Sequence, residues 1–353
     1  MGVLDRLDHP IVQAPLAGGP STAALAAAVS EAGGLGFLAT GYKAADAVRA
    51  DLDALRALTG RPFGLNVFAP PAGAADHGAV RAFAAALAAE SERRGVALGE
   101  PRRDDDAWAA KLALAEAERV PLVSFVFGCP ARDVVDRLHA AGTEVWVTVT
   151  TPEEAVAARD AGADGLVVQG AEAGGHRGGF GDEPGSELGL LAALQLVGAA
   201  VELPLVATGG IATGRGVAAV LAAGAAAAQL GTAFMRTPEA GTSPAHREAL
   251  ASPAPTALTR AFTGRTARGV VNRFLREHSA AAPAAYPEVH HLTAPLRSAA
   301  REQGDADGFH LWAGQAHALA SETPAGELVR RLAADAAAAL EDAAGRIGRP
   351  GGG

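Results

Sequence analysis

At residues 165–180 the sequence reads GLVVQGAEAGGHRGGF: a short apolar run, then Gln169, then a loop in which glycines flank a single histidine, His176. An apolar run without polar alternation suits a strand covered on both faces, as in a parallel sheet. Comparable runs begin near residues 11, 36, 63, 122, 144, 203 and 226, and Ala-rich stretches of helical period separate them. The stretch at 21–32 illustrates the helical ones, with Ser21 and Thr22 offering hydroxyl caps and Gly33-Gly34 a stop. Eight strand–helix units between residue 11 and about 251 match the repeat of an α/β fold of the (β/α)8 TIM-barrel type. A doubly wound sheet would need a dinucleotide fingerprint at the start of a helix. The nearest match, Gly34-Leu35-Gly36 with Ala39, runs into strand-like FLAT instead.

Working outward, residues of about 76–118 are polar and read as a helical insertion within the barrel, which is expected to span about 1–255. Beyond about 259 the strand-like runs thin out and Pro283, Pro287 and Pro295 interrupt the chain. Residues 256–350 therefore read as an added C-terminal helical segment, a cap or extension partly returning to the barrel. The tail GRPGGG at 348–353 is expected to have no fixed fold.

Composition narrows the function classes. The 353 residues carry 30 Lys+Arg and 39 Asp+Glu, a net charge of −9, which disfavours nucleic acid and anionic membranes as partners. Cys129 is the single cysteine, so no internal disulfide or multi-cysteine metal site is available and a cytoplasmic setting is expected. The first residues lack the basic and apolar regions of a secretory signal, and no apolar stretch is long enough to span a bilayer.

In a barrel the chemistry belongs at the C-terminal strand ends. The loop after the sixth strand presents open backbone and His176, a side chain that titrates near neutrality. Two later strand ends, Thr208-Gly209-Gly210-Ile211 and Gln229-Leu230-Gly231-Thr232, read either as a phosphate cradle or as tight turns. Asn66 and Gln13 are amides inside apolar strands, either bonded to neighbouring backbone or held for a ligand such as the edge of a heterocycle. His290-His291 lack a ligand-like carboxylate spacing, Cys129 reads as a packing residue, and the charges at 102–106 as a solvated loop.

These stretches together resemble the nitronate monooxygenase family, formerly called 2-nitropropane dioxygenases, and specifically its class I. The resemblance rests on QAPLAGGPS at 13–21, FGLNVF at 63–68, FGCP at 127–130, QGAEAGGHRGGF at 169–180, GGIATGRG at 209–216, QLGTAF at 229–234 and LWAGQ at 311–315. It implies a barrel with non-covalent FMN that oxidises alkyl nitronates, propionate 3-nitronate among them, with O2 to a carbonyl compound and nitrite. His176 falls at the family's active-site histidine, expected to hold the nitronate as a protonated donor or to take a proton from a neutral nitroalkane. The cofactor positions it implies are Asn66, Gln169, Gly174, Gly210, Gln229, Leu230, Gly231 and Thr232, to which Gln13, Gly175 and Gly209 are added from the strand-end reading. One departure is the scarcity of tyrosine, with only Tyr42 and Tyr286 available to line a substrate pocket. The expected partners are a small nitro compound and O2, without nucleic acid or membrane, for a monomer or homodimer. The alternative is an NAD(P)H-dependent flavin reductase of the same lineage, acting on quinones or enoyl thioesters.

Overall fold

The computed structural model describes residues 2–71, 73–182 and 187–347. Its strands are β1 (Ile11–Gln13), β2 (Gly36–Ala39), β3 (Phe63–Phe68), β4 (Leu122–Val126), β5 (Glu144–Val149), β6 (Gly165–Gln169), the two-residue β7 (Gly175–His176), β8 (Leu205–Thr208), β9 (Ala227–Leu230), β10 (Thr256–Thr259) and β11 (Ala267–Val270). Eight of these form one parallel sheet in the order β1-β9-β8-β6-β5-β4-β3-β2. A bridge between Val12 and Leu35 brings its two ends together, so the sheet curls into the TIM barrel expected from the repeat.

The apolar runs conceal a two-residue alternation that organises the interior. Val12, Phe37, Leu122, Trp146, Val167, Val206 and Ala227 form one buried cluster that plugs the barrel. The residues between them, including Ile11, Leu38, Val123, Val145, Leu166, Leu205 and Ala228, pack outward into the two helix-facing cores. Side chains on a strand alternate faces, so two residues beyond each plug residue the chain points inward again. On β4, β5, β6, β8 and β9 those positions hold Ser124, Thr148, Gln169, Thr208 and Gln229, and on β3 Asn66 shares the inward parity of Gly64. The barrel is thus apolar at its base and polar at its C-terminal mouth.

Gln13 has the outward parity and does a different job. The bridge that closes the seam between β1 and β2 consists of two backbone bonds, Gln13 N–H to Leu35 O and Leu35 N–H to Ile11 O, each 2.9 Å. The Gln13 side chain extends it, its Oε1 accepting from Phe37 N–H at 2.9 Å while Nε2 donates to Ser21 Oγ at 3.1 Å and to Ala14 O.

The C-terminal part adds more than helices. β10 and β11 pair antiparallel, and β11 pairs in turn with β7, setting Ala267 opposite His176. The histidine loop is therefore held as the edge of a small sheet whose other strands come from residues that the sequence reading treated as helical. Insertion helices His77–Ala86 and Ala88–Arg94 share a core with helices Arg273–His278 and Glu288–Glu302 through Phe83, Leu87, Phe262, Phe274 and Leu292. Glu90, 1% exposed, fastens the two parts by accepting from Arg94 and from both terminal nitrogens of Arg273. The last helix, Ala325–Ile347, lays Leu328, Val329 and Leu332 against the outer barrel core. The tail at 348–353 lies outside the described residues.

Gln13→Ala leaves the Phe37 N–H buried without an acceptor, which costs about 1–3 kcal/mol. Urea unfolding followed by circular dichroism will show that loss, and an unchanged midpoint contradicts the seam role.

Candidate active site

The inward polar residues floor a cleft at the barrel mouth, roofed by the His176 loop and the C-terminal part. It encloses about 1530 Å³ of non-protein space, open solvent at its mouth included. The lining contains Asn66, Gln169, Gly174, Gly175, His176, Gly209, Gly210, Gln229, Gly231 and Thr232. Gln13 and Leu230 lie outside it, because both have outward parity: Gln13 closes the seam and Leu230 packs in the outer core.

The glycine loops have the character of an anion cradle. Gly209 and Gly210 adopt φ of +118° and +69°, which turns successive peptides in a way open to glycine. Among the described residues, the N–H groups of Gly209, Gly210, Ile211 and Gly231 donate to no protein acceptor. A set of convergent, unanswered amides beside the N-terminus of helix Gly214–Ala222 suits a phosphate. A Cβ on Gly174 would stand 2.4 Å from backbone atoms of Ala313 and Gly314, so that glycine lets the 311–315 stretch close over the cradle. Gly314 N–H then donates to Thr232 Oγ1 at 3.0 Å.

The amides on the floor are oriented differently. Asn66 donates to Ser124 Oγ at 2.9 Å and to Ser124 O at 3.2 Å, which leaves its Oδ1 without a protein partner among the described residues. Gln169 is fully engaged by the loop above it: Oε1 accepts from Gly178 N–H at 2.8 Å, and Nε2 donates to His176 O at 3.1 Å. A phosphate cradle, an amide edge and a polar floor fit the phosphate and ring of a flavin.

His176 stands in a box of rings. Its centroid is 5.4 Å from Trp312, 5.6 Å from Phe127 and 6.0 Å from Tyr286. Tyr286 continues to the stacked pair Tyr42 and His290, 4.2 Å apart, so both tyrosines of the chain gather beside the cleft. Phe127 and Tyr42 reach these places through φ of +74° and +67°, rare for bulky residues and each costing about 1–3 kcal/mol.

Of the two roles expected for His176, the electrostatics favour the proton acceptor over the protonated donor. Burial, with Arg265 and Arg297 nearby, pushes the His176 pKa down to about 3, so the imidazole is neutral at neutral pH. Its Nε2 lies 2.9 Å from Thr263 Oγ1, which is itself 3.3 Å from Arg265 O. If the single hydroxyl proton goes to that carbonyl, the threonine oxygen accepts from Nε2–H and the lone pair is left on Nδ1. Positive charge comes instead from Arg297 and Arg265, 6% and 8% exposed. Both, like Thr263 and His310, come from the C-terminal part and carry no local sequence signal, whereas Tyr286 is one of the two tyrosines the sequence offers for a substrate pocket. Trp312 lay within a quoted stretch without a role.

Other expectations resolve. His290 and His291 diverge, the first onto Tyr42, the second with Nε2 2.5 Å from Asp104 Oδ2. The 102–106 charges are not simply solvated, because Asp106 pairs with the buried Lys111 at 2.6 Å and accepts from Tyr42 N–H at 2.8 Å. Cys129 lies outside the cleft lining, its thiol pushed up to about 11 by burial, consistent with a packing residue.

Comparison with known proteins agrees with this geometry. The chain is 45% identical over 341 residues to a nitronate monooxygenase of Pseudomonas aeruginosa, covering 92% of this chain and 95% of that protein. The solved nitroalkane oxidase of Streptomyces ansochromogenes superimposes with a TM-score of 0.94 at 55% identity, covering 97% of this chain and 99% of that one. FabK from Thermotoga maritima superimposes with a TM-score of 0.77 at 27% identity, covering 98% and 97%. The family model described as Nitronate monooxygenase matches residues 4–335, and the chain therefore belongs to the nitronate monooxygenase family of oxidoreductases.

Proposed function

We propose that the chain is an FMN-dependent nitronate monooxygenase that oxidises alkyl nitronates, including propionate 3-nitronate, with O2 to a carbonyl compound and nitrite. The observation that carries this reading is a cleft that joins the unanswered glycine amides at Gly209, Gly210 and Gly231 to a pocket lined by His176, Phe127 and Trp312. FMN, when bound, supplies the electron acceptor and the route to O2. The cradle at Gly209, Gly210, Gly231 and Thr232 would hold its phosphate, and Asn66 Oδ1, Gln229 and the open backbone at Gly174 and Gly175 would meet its ring and side chain.

The remaining work falls to this chain's side chains. Phe127, Tyr286 and Trp312 exclude water from the space beside His176, which strengthens every charge interaction there. His176, neutral and with Nδ1 available, accepts the α-proton when a neutral nitroalkane is offered. A nitronate arrives already deprotonated and needs only to be held, which suits a pocket whose charge is positive without a protonated histidine.

His176→Asn should therefore lower kcat/KM for a neutral nitroalkane by about 10²-fold or more while sparing the bound-flavin spectrum, and the loss on preformed nitronate should be much smaller. Equal turnover of nitroalkane by the variant and the parent contradicts the role. The pH profile adds a second test. A pKa lowered to about 3 keeps the imidazole neutral as pH falls through 6.5, so turnover of preformed nitronate has no acid limb from His176 near that value. A limb near pH 6.5 that vanishes in His176→Asn overturns the assignment of a neutral ring.

A further inference from the structure

Helix Glu288–Glu302 carries His290, Arg297 and Arg301 on its cleft side, and the middle residue is in an unusual position. The Arg297 guanidinium donates to Thr293 Oγ1 at 3.0 Å, to His290 O at 2.8 Å and to His290 Nδ1 at 3.2 Å, with His310 Nδ1 3.4 Å away. No carboxylate among the described residues lies within 4.0 Å of it. Arg265 is in the same state: its head lies 4.3 Å over the Phe127 ring and donates to the carbonyls of Arg177, Gly179 and Gly181. Asp182, held by Arg260, and Glu154, which accepts from backbone N–H groups and Thr150, lie near Arg265 without pairing directly with it, whereas Asp106 is engaged by Lys111. A buried cation such as Arg297, with no carboxylate in direct contact among the described residues, is costly in a folded chain, and a bound anion relieves that cost.

We propose that Arg297, supported by Arg265, is the positioning residue that makes this site select the anionic nitronate over the neutral nitroalkane, acting through His290 and His310. This rests on the nitronate-oxidising reading above. His310 lines the cleft and stacks on Trp312, which in turn neighbours His176, so the charge of Arg297 stands one ring behind the substrate space. His290 meets Arg297 with Nδ1, and His310 meets Arg297 with Nδ1 and Arg301 with Nε2, so these imidazoles, facing guanidinium donors, stay neutral and hold the guanidinium in place without competing for the anion's charge. Arg301, also beside His310, is exposed at the mouth and adds a screened contribution.

The test uses the holoprotein with Arg297→Gln and Arg297→Lys. Arg297→Gln should raise KM for preformed nitronate about tenfold with a smaller change in kcat, and should lower the nitronate-to-nitroalkane preference by a similar factor. Arg297→Lys, which keeps the charge, should recover most of both. Equal losses on the two substrate forms, or equal effects of Gln and Lys, would overturn the assignment. Calorimetric titration with nitrate, a planar oxyanion shaped like a nitro group, gives a readout free of turnover: nitrate should bind the parent, compete with nitronate, and bind Arg297→Gln about tenfold more weakly. If Arg297→Gln does not fold, the parent and Arg297→Lys decide, and nitrate that fails to compete with nitronate in the parent refutes the proposal. A parent that binds nitrate in an Arg297-dependent way yet oxidises no nitronate would instead refute the proposed function.

Discussion

The two-residue alternation of the barrel strands is the constraint on which everything else depends. It sends one row of side chains into a dry plug built around Trp146 and Phe37, whose centroids are 6.1 Å apart, and a second row, two residues on, to the open mouth. Without the plug the mouth would have no rigid floor, and without polar residues in the second row a heterocycle would meet no hydrogen-bonding edge. Ser124 illustrates the economy of the arrangement, since it orients Asn66 while remaining buried itself.

Above that floor the molecule separates tasks usually given to one residue. On the proposed reading, the charge that attracts an anion resides on Arg297 and Arg265, behind the rings, while the proton acceptor is an imidazole that burial and those same cations keep neutral. Burial pushes even Arg297 down to about 10, which leaves it cationic at any physiological pH. Against the overall charge of −9 the surroundings of His176 carry two buried cations, of which Arg297 has no directly paired carboxylate among the described residues. The small sheet β7-β11-β10 makes this possible, because it ties the histidine loop to the segment that carries Thr263 and Arg265.

Much of the fold was legible in the sequence because it repeats. Each apolar run with its following helix is a local signal, and eight of them in succession leave few alternatives. The glycines at 209–210 and the loop around His176 were legible for the same reason, as departures from side-chain-rich chain at predictable strand ends. Parity is legible in the sequence too: the alternation that turns Val12 inward puts Gln13 on the outer face, and the one that turns Gln229 inward does the same for Leu230. What the sequence did not disclose depends on contacts across long separations. Nothing local marks Thr263 as the partner of His176, 87 positions away, or predicts that Phe127 and Tyr42 adopt positive φ to turn their rings inward. Strands β10 and β11 were hidden because short antiparallel segments such as TALT and ARGV carry weak periodicity.

The claim that unites these features is that the cleft binds a flavin whose electrons come from a nitronate. The competing reading is an NAD(P)H-dependent flavin reductase of the same barrel lineage. The most direct measurement is the visible spectrum of the purified protein under anaerobic conditions, titrated separately with propionate 3-nitronate and with NADH or NADPH. The account predicts a flavin spectrum that is bleached by the nitronate and untouched by the nicotinamides. Prompt bleaching by NADH or NADPH with none by the nitronate, or a preparation with no flavin that cannot take up FMN, would contradict it.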